Sequence, residues 1–94
     1  MPTALKGDAL AAREREVPDW KVVDEHHLNK SFKFPDFLKA LEFVNRVGAI
    51  AEEMGHHPNI EFTWGKAEIT IFTHDVDGLT GKDFALAAKI NQLG

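Results

Sequence analysis

Three histidines in two short segments are the residues of this chain best suited to chemistry: Glu52-Glu53-Met54-Gly55-His56-His57-Pro58, and further on Thr73-His74. Imidazoles titrate near neutral pH, so gathering them on one surface is costly unless they move protons or bind a metal. The stretch between the segments alternates like a hairpin. A turn at Gly65-Lys66, of the type II′ that favours a leading glycine, sets Trp64 against Ala67, Phe62 against Ile69 and Ile60 against Ile71. The same register sets His57 against His74, on the face opposite the apolar pairs. Two imidazoles so placed can share one small ligand. Glu52 lies four residues before His56, within reach of its ring if the last helical turn persists.

The elements that must position these rings are legible in the periodicity. Ala4 to Glu16 predicts a short helix starting near Asp8, stopped by Val17-Pro18-Asp19. Trp20-Lys21-Val22 and Leu28 to Phe34 read as a hairpin with the polar tip Asp24-Glu25-His26-His27. After Pro35-Asp36, the apolar residues Phe37, Ala40, Leu41, Val44, Val47, Ala51 and Met54 recur at three and four, predicting a long helix. Gly55 stands where a left-handed C-terminal residue is wanted, and Pro58 forbids continuation. Strands Ile60 to Trp64 and Ala67 to Ile71 follow, then Gly78-Leu79-Thr80 introduces a helix from Gly81 to about Leu93. The order α-β-β-α-β-β-α predicts an α+β fold: a four-stranded antiparallel sheet with three helices packed on one face.

Composition narrows the function. Ninety-four residues make a single domain, 1–94, and 44% hydrophobic content with seven Phe and two Trp supplies a core. So small a domain is expected to associate. A net charge of −4 without a Lys/Arg run argues against nucleic acid. The chain has no cysteine for disulfide or thiol chemistry. No apolar run is long enough for a membrane and the opening Met1-Pro2-Thr3-Ala4 is unlike a signal sequence, so a cytoplasmic protein is the expectation.

The pattern Glu52-x-x-x-His56-His57-Pro58, Thr73-His74 and Gly78-Leu79-Thr80-x-x-Asp83 resembles the pterin-4a-carbinolamine dehydratase family. Trp20 after Pro18, Phe32-x-Phe34-x-x-Phe37 and Asn45-Arg46-Val47 support the likeness, which runs from Trp20 to about Leu93. The resemblance implies an α+β fold and dehydration of a 4a-hydroxytetrahydropterin to the quinonoid dihydropterin, with no metal or cofactor. It implies His56, His57 and His74 as catalytic residues, and Pro58, Thr73, Asp75, Glu52, Trp20 and Asp83 at the pterin site. One imidazole would protonate the departing hydroxyl while another takes the N5 proton, and Trp20 or Phe72 could stack on the pterin ring. It also implies a homodimer or homotetramer, and functional coupling to an aromatic amino-acid hydroxylase. Gly55 stands where the family often has an acidic residue.

Plainer readings compete at several positions. Thr80-x-x-Asp83 is close to a capping box, so Asp83 could serve only the helix start. Both tryptophans suit a core, and Glu52 a solvated helix face. Asp75 and Asp77 suit the turn before the last helix, and His26-His27 a plain hairpin tip where substitution should be silent. Two other functions stand beside the dehydratase. One is a catalytic metal site of His57, His74 and a carboxylate. The other is a binding module, since some animal members of the family are dimerisation partners of a homeodomain transcription factor.

Overall fold

Apolar side chains at alternate positions give the middle strands one face to bury. In the computed structural model, which describes residues 3–93, β1 (Lys21–Val23), β2 (His27–Lys33), β3 (Asn59–Thr63) and β4 (Lys66–Ile71) form one sheet. Its order is β1-β2-β4-β3 and every pair is antiparallel. Leu28 pairs with Ile71, Lys30 with Ile69 and Phe32 with Ala67. Leu28, Ala67, Ile69 and Ile71 are fully buried beneath the helices. Each of the three larger ones contributes about 1.5–3 kcal/mol by leaving water. The other face is polar: Asn29 donates to the Thr70 hydroxyl at 3.1 Å and Ser31 to Glu68 at 3.3 Å.

The helices are α1 (Gly7–Glu14), α2 (Phe37–Met54) and α3 (Gly81–Asn91). The expected α+β order and four-stranded antiparallel sheet are therefore present. In α2, Asp36 caps the N-terminus by accepting from the Lys39 amide, and Gly55 ends it in the left-handed region at φ 66°. The buried seam of α2 is Ala40, Phe43, Val47 and Ala51. Phe37, expected in that stripe, is instead 46% exposed, because it lies in the first turn beyond the core. A single turn of 3-10 helix, η1 (His74–Val76), lies between β4 and α3.

The β3–β4 register differs from expectation by two residues. Phe62 pairs with Ala67, Ile60 with Ile69 and Thr63 with Lys66, so the turn is Trp64-Gly65 and Trp64 is 66% exposed. The end of β2 sets the turn. The Phe34 amide donates to the Gly65 carbonyl at 2.9 Å, and a Cβ on Gly65 would lie 3.0 Å from the Phe34 carbonyl oxygen. A two-residue shift keeps every side chain on its face, so the apolar face is as expected while the partners change.

Candidate active site

The ladder of β3 and β4 ends at Asn59 opposite Thr70, so His57 and His74 are not strand residues and their expected cross-strand pairing does not form. A buried carboxylate joins their segments instead. Asp83, the third residue of α3, is fully buried. Its Oδ1 accepts from His56 Nε2 at 2.5 Å. Its Oδ2 accepts from the Thr73 hydroxyl at 2.7 Å and from the Thr80 amide at 2.8 Å. The Thr73 and Thr80 hydroxyls lie 2.9 Å apart. Asp83 thus completes the capping box of α3 while clamping two other segments of chain to the helix start. The capping box expected of this residue is present, and the same carboxylate also binds His56 and Thr73.

His56 and Thr73, held on one carboxylate, are each followed in the chain by a further histidine, His57 and His74. His57 Nε2 donates to the Glu52 carboxylate. Glu52 was expected to meet His56, at helical spacing. The left-handed Gly55 ends that spacing, so His56 turns inward to Asp83 and His57 takes the glutamate. The His56 side chain is 12% exposed and that of His57 61%. His56 is therefore held close to Asp83, while the His57 ring stands largely in the open. His74 is exposed on η1, its ring 4.3 Å from that of half-buried Phe72.

The other expected site residues divide. Pro58 is half-buried just before β3, and Asp75 is exposed on η1 beside His74. Thr73, Asp75, Val76, Thr80, Gly81 and Lys82 line a cavity of about 270 Å³ next to the clamp. Trp20 is a correction: it is 2% exposed, donates from Nε1 to Asn91 Oδ1 at 2.9 Å and meets Phe32 edge-on. With its faces inside the core it has no surface for a planar ligand, and Phe72 is the aromatic ring at the site. Among the described residues there is no group of three or more His, Asp or Glu side chains arranged to hold a metal ion.

His26 and His27 differ from the plain tip expected of them. Both are half-buried, and His26 reaches across the fold to Asp77 at 2.7 Å and lies 4.6 Å from the Phe72 ring. Sequence reasoning discounted them because it had no sign of a partner fifty-one positions away. The repeated His-His dipeptide was the available signal.

The α+β domain thus holds a fully buried aspartate against His56 and Thr73, each next in the chain to an exposed histidine. The family model for pterin 4 alpha carbinolamine dehydratase matches residues 3–93, and the chain belongs to that family. A Rubrobacter xylanophilus relative, provisionally named pterin-4-alpha-carbinolamine dehydratase, is 60% identical over 95% of this chain and 83% of its own. A Picosynechococcus relative under the same provisional name is 40% identical over 99% of this chain and all of its own. The crystal structure of a transcriptional coactivator/pterin dehydratase from Brucella melitensis superposes with a TM-score of 0.90 at 29% identity, covering 97% of this chain and 98% of that one. A pterin dehydratase-like protein identified as a RuBisCO assembly factor in the alpha-carboxysome aligns with a TM-score of 0.70 at 26% identity, over 83% and 92% of the two chains.

Proposed function

We propose that this chain dehydrates a 4a-hydroxytetrahydropterin to the quinonoid dihydropterin. The observation that supports the reading is that Asp83 binds His56 and Thr73, the chain neighbours of exposed His57 and His74, in a family of this name. Because a carboxylate only accepts, Glu52 holds the proton of His57 on Nε2 and leaves Nδ1 of the neutral ring as a base. His57 takes the N5 proton, the C4a–O bond breaks, and His74 protonates the departing hydroxyl as water. Electrons from the N5–H bond form the N5=C4a double bond. Phe72 offers the pterin a ring to lie on. The test is a hydroxylase assay that generates the carbinolamine: adding the purified protein should speed loss of its chromophore. An unchanged rate would refute the reading.

The same reading extends to tetrahydrobiopterin recycling in the cytoplasm, coupled to an aromatic amino-acid hydroxylase, as the family implies. It extends also to a homo-oligomer, dimer or tetramer. Strand β3 is a sheet edge, the exposed Phe37 packs on its Phe62 with ring centroids 4.9 Å apart, and the exposed Trp64 directly follows it. Each subunit should carry a complete site, since Glu52, His57, His74 and Asp83 come from one chain. Mixing inactive His57→Ala and His74→Ala chains should therefore restore no activity, whereas recovery in hybrids would show a shared site. The coactivator name of the Brucella structure favours a second, binding role. A pull-down with the His57→Ala protein separates the two, because partner capture should survive loss of the imidazole.

A further inference from the structure

The second histidine pair has an internal order that the first lacks. Asp77 Oδ1 lies 2.7 Å from His26 Nε2, and His26 Nδ1 lies 3.0 Å from His27 Nδ1. The carboxylate accepts only, so His26 Nε2 carries a proton. In the neutral ring His26 Nδ1 is then a lone pair, and the contact with His27 requires the proton to sit on His27 Nδ1. His27 Nε2 is left as a free base, and no group among the described residues bonds to it. Elsewhere among the described residues no comparable series of ionisable groups forms.

We infer that Asp77, His26 and His27 form a carboxylate–imidazole–imidazole proton relay that serves the His74 side of the active site. When His27 Nε2 takes up a proton, the Nδ1 proton of His27 passes to His26 Nδ1. The positive charge then rests on His26 beside the Asp77 carboxylate, and the reverse transfers return the proton with no net change. The relay is tied to the site at two points. The His26 ring lies 4.6 Å from Phe72, whose other imidazole neighbour is His74 at 4.3 Å. The Asp77 amide donates to the His74 carbonyl at 3.1 Å. His26 and Asp77 are positioning residues here, acting through His27 and His74. The use assigned to the relay, resupplying the proton that His74 gives to the departing hydroxyl, rests on the dehydratase reading; its existence does not.

The tautomers test it directly. Long-range 15N–1H spectra of the histidine rings at about pH 8, where free imidazole is neutral, should show His26 protonated on Nε2 and His27 on Nδ1. Asp77 sits at φ 50°, ψ 51°, a conformation glycine adopts freely, so Asp77→Gly removes the carboxylate without backbone strain. It should abolish the Nδ1 preference of His27. A wild-type His27 protonated mainly on Nε2 would overturn the relay. His26→Phe keeps a ring against Phe72 and deletes the transfer. It should lower kcat about tenfold with KM unchanged, a share of what general acid–base groups supply. Full activity in His26→Phe would overturn the link to the site. If the wild-type protein fails to dehydrate carbinolamine at all, the dehydratase reading falls while the spectra still judge the relay.

Discussion

Asp83→Ala should destabilise the fold by about 3–5 kcal/mol, since a buried donor left without its acceptor costs about 1–3 kcal/mol and this carboxylate serves three. The carboxylate is fully buried and accepts from His56, Thr73 and the Thr80 amide, so alanine strands three donors and breaks the capping box of α3. A small domain has on the order of 5–10 kcal/mol in total, so the variant is expected to be partly unfolded at 37 °C. Urea denaturation measures this. Asp83→Asn, which keeps one acceptor and the shape, should lose less and remain folded. A loss below about 1 kcal/mol in Asp83→Ala would mean the clamp is not holding the segments.

His57→Ala and His74→Ala should each lower the dehydration rate by about 10²–10⁴-fold, the usual contribution of a general acid or base. Neither side chain is buried, so thermal midpoints should move little. His56→Ala should behave differently. Its ring ties Asp83 to the segment after α2, so stability and activity should fall together. Measuring kcat/KM and the unfolding midpoint for all three separates chemistry from support. Wild-type turnover in both His57→Ala and His74→Ala would remove these rings from the mechanism.

Much of the fold was legible because its determinants are local. A 3.6-residue apolar period, the Asp36 cap and the left-handed Gly55 define α2, and alternation defines the strands. Thr80 and Asp83, three apart, specify a helix start whatever lies around them. The double histidine, Thr73-His74 and the later Gly-Leu-Thr are sufficient by themselves to point to the family.

The pairings across the fold were not legible, since they depend on which chain segments arrive together. Alternation is satisfied equally by β3–β4 registers two residues apart, and the contact of Phe34 with Gly65 selects one of them. Local spacing paired Glu52 with His56, but the chain reversal at Gly55 turned His56 toward a carboxylate twenty-seven residues on. Trp20 looked like a ligand platform from its motif, and burial against Phe32 and Asn91 removed it. His26 looked like a turn residue until Asp77 and Phe72 met it. Sequence alone determined which elements form and which residue types can carry the chemistry, because period, caps and turns act over a few residues. The tertiary structure alone decided which imidazole is tied, which is free and which carboxylate orients each, because those hydrogen bonds exist only between segments that packing brings together.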